Sequence, residues 1–266
     1  MAAGTGEDVA GRSHEGRKVG AFAVQRVLSG MTGPRVALVT GSTEGIGRAV
    51  AFSLGRAGWS VGVCARTPGR LERLLLELRG AGVTAEGLPA DVGNEAQVKA
   101  LVQQVSTALG PIDTLVNNAG ILVAKPFLEL SLDDWDTTMR TNLRSLFLVT
   151  REVLPGMHAL GRGDIVNIAS LAGRTGFVGG SAYVASKHAV LGFSKSLMLE
   201  ERKNNIRVIA VCPGSVATAM LENQPLLPSN AEKILRPDDV ADTILSALRL
   251  PGRALVSELD IRPTNP

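Results

Sequence analysis

The chain has 266 residues, 45% of them hydrophobic and 20% charged, with a formal net charge of +3. That length suits one large α/β domain with a short extension, and so small a charge gives no reason to expect a nucleic-acid or membrane partner. Cys64 and Cys212 sit in separate apolar runs and the three histidines lack ligand spacing, so no metal site is expected and a reducing, cytoplasmic setting fits.

Residues 1–30 are rich in glycine and mixed in charge, and their most apolar part, Val19 to Leu28, is broken by Gln25 and Arg26. They lack the apolar core and cleavage site of a signal peptide and read as a disordered extension. Met31 precedes the first strand, so the expected domain is 31–266. No apolar run reaches the roughly 18 residues of a membrane span.

From Arg35 onward, strand-like and helical patterns alternate. RVALVT (35–40) is a strand and residues 45–57 a helix. SVGVCA (60–65) is a strand, followed by a helix with Leu71, Leu74, Leu75 and Leu78 at helical spacing. VTAEGLPA (83–90) is a weaker strand, and Asn94 caps a helix reaching Leu109. IDTLVN (112–117) is a strand, and Ser131 caps a long helix to Leu154. DIVNIA (164–169), a helix over 181–203 and IRVIAVC (206–212) follow. Pro237 opens a helix to Leu250, and RALVSELDI (253–261) supplies a last strand. Strands apolar on both faces, alternating with helices, predict a doubly wound parallel sheet of Rossmann type, three layers α/β/α in a single domain.

The first strand runs into Thr40-Gly41-Ser42-Thr43-Glu44-Gly45-Ile46-Gly47 and then a helix. Gly41 permits the tight turn, Gly45 lets a pyrophosphate approach the backbone, and Gly47 lets helix and strand pack closely. The free N–H groups at the helix start would face the phosphates. A plain βα turn has the same glycines; the position between strand and helix favours a dinucleotide. NAD sites usually place an acid about 20 residues on, for the ribose hydroxyl. Here the strand ends in Ala65 and Arg66. Arg66 is either a solvated surface residue or a fork onto a 2′-phosphate, and the lack of a carboxylate favours NADP(H) over NAD(H).

Tyr183 and Lys187 stand four apart in Y-V-A-S-K, on one face of a predicted helix. Free tyrosine has a pKa of about 10, and a nearby ammonium lowers it, which suits proton exchange with a carbinol oxygen. Ser170 ends the preceding strand, where its hydroxyl can bond the same oxygen as charge develops.

Taken in order, TGSTEGIG, NNAG (117–120), Ser170, YVASK and Pro213-Gly214 resemble the short-chain dehydrogenase/reductase family, in its single-domain form. The motifs span residues 35–218. The resemblance implies that Tyr183 is the general acid in reduction, that Lys187 binds the nicotinamide ribose and lowers the tyrosine pKa, and that Ser170 orients the carbonyl. It implies that Asn142 holds a water in a relay to Lys187. Asp91 and Val92 would contact adenine. Asn117, Ala119 and Gly120 would line the adenosine ribose side and steady the sheet. Val216 and Thr218, past Pro213-Gly214, would meet the carboxamide. Two positions depart from the pattern. Many NADP(H) members carry a basic residue before the second glycine, where this chain has Glu44. Members that reduce acyl-carrier-protein thioesters usually end in a VTGxxxxVDGG-like strand, where this chain has RALVSELDIRPTNP.

Three loops are expected to meet the substrate. One holds Leu122, Val123, Lys125, Pro126 and Phe127; one holds Leu171, Arg174, Phe177 and Val178; one holds Met220, Leu221, Leu226 and Leu227. They are mostly apolar, suiting a ketone with an aliphatic body, while Lys125 or Arg174 would either meet an acidic group or stay solvated. The leading reading is a carbonyl reductase, with a 3-oxoacyl thioester as the first substrate choice. The alternatives are a dehydrogenase oxidising a hydroxy acid or polyol, and a non-catalytic dinucleotide sensor. The long helices also carry more apolar residues than one stripe needs: Leu143, Leu146, Phe147, Val149 and Leu154 on the first, and Val190, Leu191, Phe193, Leu197 and Leu199 on the second. A homo-oligomer, tetramer or dimer, is expected.

Overall fold

The first strand, β1 (Val36–Val39), is buried throughout, and its residues alternate between two cores. Ala37 and Val39 join one apolar cluster, Val36 and Leu38 the other. That alternation is what a strand covered on both faces requires. A computed structural model describes Met1, residues 35–222 and residues 233–264 of the chain. Apart from Met1, the expected extension, residues 1–30, lies outside the described residues, as do the loop residues Leu226 and Leu227.

The elements that follow are α1 (Gly45–Arg56), β2 (Ser60–Ala65), α2 (Pro68–Gly80), β3 (Ala85–Pro89), α3 (Glu95–Leu109), β4 (Thr114–Asn117), α4 (Leu132–Met139), α5 (Ser145–Leu160), β5 (Gly163–Ile168), α6 (Ser181–Glu201), β6 (Ile206–Pro213), α7 (Ala219–Glu222), α8 (Pro237–Leu248) and β7 (Glu258–Ile261). The seven strands form one sheet in the order β3-β2-β1-β4-β5-β6-β7, and every pair is parallel. This is the doubly wound architecture expected. One face packs α1, α2 and α8 through Val50, Leu54, Leu71, Leu78, Val240 and Ile244; the other packs α3, α5 and α6 through Leu101, Val105, Leu148, Val153 and Leu197. Each such leucine, fully buried, contributes about 1.5–3 kcal/mol. The strand order reverses between β1 and β4, which opens a crevice at their carboxyl ends.

Local signals hold where they are strongest. Asn94 caps α3 by accepting Gln97 N–H at 3.1 Å. Ser131 and Asp134 form a capping box on α4. The long helix differs from expectation. It is interrupted by a π-helical turn, Arg140–Arg144, and then runs through Pro155 to Leu160. Burial of Val153 and Met157 on either side of the proline holds the helix where the local rule would stop it. The last strand is shorter than expected, covering only Glu258–Ile261. No helix among the described residues is long and apolar enough to cross a membrane.

At the amino ends of the strands, opposite the crevice, lies a buried ionic network. Arg35 Nε donates to Asp113 at 3.1 Å, and its Nη2 donates to Thr114 Oγ1 at 2.7 Å and Asp164 Oδ2 at 2.6 Å. Arg207 Nε donates to the other Asp164 oxygen at 2.6 Å. The Arg35 guanidinium lies 4.8 Å from the Trp59 ring centroid. Four strands are thus tied together below the site.

Candidate active site

The turn after β1 needs its glycines for separate reasons. Gly41 (φ 61°) and Gly45 (φ 55°) lie in the left-handed region, which costs other residues steric strain. At Gly47 an added Cβ would come 2.3 Å from the Gly41 oxygen, so only glycine lets α1 start this close to β1. The turn is held from the end of β4 by Asn118, a residue of the NNAG motif to which no role was assigned from sequence. Asn118 Nδ2 donates to the Thr40 and Gly41 carbonyls at 3.0 and 2.9 Å, and Thr40 Oγ1 accepts the Asn118 and Ala119 N–H groups at 3.0 and 3.1 Å. On the other side, the buried Ser42 hydroxyl donates to the Cys64 carbonyl at 3.2 Å. Its side chain therefore fastens the turn to β2. Thr43 is partly exposed, and Ile46 packs against the core.

Arg66 stands exposed just past β2, with no hydrogen bond or ion pair among the described residues. Glu44, at the head of α1, faces Arg70 of α2 at 3.6 Å, with both side chains more than 60% exposed (62% and 64%). Asp91 is engaged locally. It accepts Gly93 N–H at 2.9 Å and pairs with Arg140 at 3.3 Å. Val92 points into the core at 7% exposure. Asn117 also turns inward, donating to Thr150 at 3.0 Å and Asn167 at 2.9 Å. Its side chain steadies β4, β5 and α5, and is spent on those bonds rather than on a ribose.

The side chains expected to react converge at the carboxyl ends of β4 and β5. Lys187 on α6 is 5% exposed and donates to the Ile168 carbonyl at 2.8 Å. Its ammonium lies 5.7 Å from the Tyr183 ring centroid. Ser170 begins the 3₁₀ turn Leu171–Gly173, accepts Ala172 N–H at 3.1 Å, and bonds the Tyr183 phenol. Burial pushes the Tyr183 phenol up, against the pull of the Ser170 hydrogen bond. The same burial brings Lys187 down to about 8. Burial outweighs the lowering that the Tyr-Lys spacing led one to expect, because the dry wall penalises phenolate and ammonium alike.

Asn142 lies in the π-helical turn, a place where helices often carry function. Its amide is committed to protein. Oδ1 accepts Ile121 N–H at 2.8 Å, while Nδ2 donates to the Ile121 carbonyl at 2.9 Å and to Ser186 Oγ at 3.0 Å. A Cβ on Gly120 would meet Asn142 Oδ1 at 3.3 Å and Lys187 Nζ at 3.8 Å, so Gly120 sits between them. From β6, Gly214 N–H donates to the Ile261 carbonyl at 2.8 Å. Val216 is buried, and a Cβ on Gly45 would meet Thr218 at 3.0 Å. Thr218 therefore reaches across to the glycine turn.

The substrate loops are more apolar in the fold than in the sequence. Lys125 pairs with Asp134 at 2.7 Å, and that bond, with help from Ser131, holds the Asp134 carboxyl at about 2. Arg174 pairs with Glu258 and Asp260. The loops touch through Lys125 N–H to the Gly179 carbonyl at 3.0 Å, with Phe127 and Val178 exposed on them. Phe177 packs 6.3 Å from the Tyr183 ring.

Against known proteins, the family model for short chain dehydrogenases matches residues 35–226. A Streptomyces coelicolor protein named as a ketoacyl reductase is 48% identical over 187 residues, 70% of this chain and 72% of that protein. A granaticin polyketide synthase ketoacyl reductase, so named in Streptomyces violaceoruber, is 44% identical over 204 residues, 76% of this chain and 75% of its own length. Among solved structures, an actinorhodin polyketide ketoreductase variant with NADPH superposes with a TM-score of 0.80 at 38% identity, covering 86% of this chain and 96% of that one. With the glycine turn, the Ser-Tyr-Lys cluster and the sheet order already in hand, these matches establish that the chain belongs to the short chain dehydrogenase family.

Proposed function

We propose that the protein is an NADP(H)-dependent carbonyl reductase that converts a ketone with an apolar body to a secondary alcohol. The observation that carries this reading is the convergence of Ser170, Tyr183 and Lys187 beside Gly120 and the glycine turn. The cradle fits a dinucleotide: its glycines leave space that a Cβ would fill, and the head of α1 offers free N–H groups. When bound, NADPH would supply the hydride. The main chain from Gly41 to Gly47 would hold the pyrophosphate, Arg66 the 2′-phosphate, and Asp91 and Val92 the adenine side. Ala119 and Gly120 would border the ribose, and Pro213, Gly214, Val216 and Thr218 the carboxamide. Tyr183 donates its proton to the carbonyl oxygen while Ser170 donates a hydrogen bond to the same atom. Lys187 would hold the nicotinamide ribose. With its amide committed, Asn142 shapes the pocket beside Lys187 and would hold a relay water only through what remains of its acceptor capacity.

Both loop cations are already paired, which favours an uncharged ketone over a hydroxy acid. The names of the relatives make a 3-oxoacyl thioester the first substrate to try. Two free, buried thiols suit a reducing compartment such as the cytoplasm. A ketone panel assayed with NADPH and NADH at the nicotinamide absorbance tests the reading, and absence of NADPH-dependent reduction across the panel contradicts it.

Arg66→Ala should weaken NADPH binding about tenfold or more while leaving NADH nearly unchanged, because a charge-assisted hydrogen bond is worth about 1.5–3 kcal/mol. Titrations with both cofactors decide it; equal losses would remove Arg66 from the phosphate.

Reduction should also depend on pH in one direction. The raised Tyr183 phenol stays protonated as an acid through neutral pH, whereas the Lys187 ammonium is lost as pH rises through about 8. The rate constant kcat/KM for the ketone should therefore fall above about pH 8. A profile flat to about pH 10 would exclude an ammonium requirement.

Assembly as a homo-oligomer, dimer or tetramer, is part of the proposal, on a narrower basis than the sequence offered. Leu146, Val149, Val190, Leu191 and Leu197 are consumed by the subunit's own core, leaving Phe147 (45% exposed) and Leu199 (57% exposed) on the outer faces of α5 and α6. Light scattering at micromolar concentration should give a multiple of the chain mass. A fully active monomer would refute it.

A further inference from the structure

Arg174 follows the 3₁₀ turn that begins at Ser170. Its guanidinium faces the edge of the sheet. Nη2 meets Glu258 Oε2, and lies 3.1 Å from Asp260 Oδ1. Glu258 and Asp260 alternate along β7 and so project to the same side. A third partner is the Cys212 thiol at the end of β6. Cys212 is fully buried. Lys195 pairs with Glu258 at 3.2 Å, and Arg262 with Asp260 at 3.6 Å. A network of this kind carries weight that an isolated surface pair does not.

The other side of the same turn is equally constrained. A Cβ on Gly173 would come 2.8 Å from the Lys187 carbonyl, so the turn lies directly on α6. The Ser170 turn is thus gripped between α6, which carries Tyr183 and Lys187, and β7, which pairs with β6 alone. The last strand reads Glu-Leu-Asp-Ile, and its two acids are the ones that meet Arg174.

We propose that Arg174 is a positioning residue: clamped by Glu258 and Asp260, it fixes the Ser170 turn to the edge strand and keeps the Ser170 hydroxyl on the Tyr183 phenol. This rests on Ser170 and Tyr183 being the reacting pair. It gives the acidic last strand a part in catalysis without any contact to substrate.

The test compares Arg174→Met, Arg174→Lys, the double change Glu258→Gln with Asp260→Asn, and the combination of Arg174→Met with that pair. Steady-state reduction of a ketone by NADPH, NADPH titration and thermal unfolding are measured for each. Arg174→Met should lower kcat about tenfold or more with NADPH affinity within about twofold, since a misplacement of about 1 Å can cost up to a hundredfold. The acid pair should cost a similar factor, and the combination no more than either, because all remove one interaction. Arg174→Lys should recover part of kcat. If Arg174→Met raises the ketone KM and leaves kcat intact, Arg174 binds substrate and the proposal falls. If it lowers only the melting temperature, with kcat per NADPH-binding site unchanged, the role is structural and the proposal also falls. Ser170→Ala in parallel separates the two levels. Full turnover there overturns the assignment of the reacting pair, whereas loss there with an unaffected Arg174→Met overturns the clamp alone.

Discussion

Tyr183→Phe is expected to lower ketone reduction by about 10²–10⁴-fold while NADPH still binds. That range is what a positioned acid or base contributes to a proton transfer. The change removes one oxygen and little else. The ring keeps its packing 6.3 Å from Phe177 and its place beside the Lys187 ammonium, so fold and cofactor cradle should persist. Ser170 then loses its phenol partner and still donates a hydrogen bond to the substrate oxygen, but an aliphatic hydroxyl is too weak an acid to replace the phenol as proton donor. Chain composition sharpens the test, because Tyr183 is the one tyrosine present and no neighbouring phenol can substitute. Steady-state kinetics with a parallel NADPH titration check the outcome. A variant retaining more than about a tenth of kcat would remove Tyr183 from the proton transfer.

Asp164→Ala is expected to destabilise the protein by about 3–5 kcal/mol, the cost of leaving buried charge uncompensated. Asp164 accepts from Arg35 at 2.6 Å and from Arg207 at 2.6 Å, with 6% of its side chain exposed. Its loss leaves two guanidinium groups that keep only part of their bonding: Arg35 still has Asp113 and Thr114, and Arg207 still has the Leu248, Leu250 and Ala254 carbonyls. The residue lies at the amino ends of the strands, opposite the crevice, so kcat of the folded variant should be nearly unchanged. Equilibrium unfolding in urea, with enzyme assays on the folded protein, separates the two effects. A loss below about 1 kcal/mol would show that the network behaves as a surface pair.

Most of the architecture was legible because it is local. β1, β2 and β5 are short apolar runs, and the turn beginning at Gly41 has its glycines between a strand and a helix. The Tyr183-Lys187 pair needs only one helical turn to share a face. Asn94 and Ser131 cap their helices through partners three residues away. Such features are set by bonds within a few residues, so periodicity and spacing suffice to read them.

What the sequence could not decide are the choices made between distant segments. Asn118 had no role legible in the sequence and brackets the glycine turn across 78 positions. Ser42 spends its hydroxyl 22 positions away on β2. Asn117 points inward because Thr150 and Asn167 offer it hydrogen bonds there. Lys125 and Arg174 looked available for an acidic substrate, but Asp134 and the last strand claim them. Five of the ten apolar residues that suggested an interface lie in the subunit's own core. The helix passes Pro155 because Val153 and Met157 are buried beside it. In each case the sequence determined which groups could bond or be buried. The packed sheet decided which of them met, since a polar side chain entering the interior must pair with whatever partner the topology brings within reach.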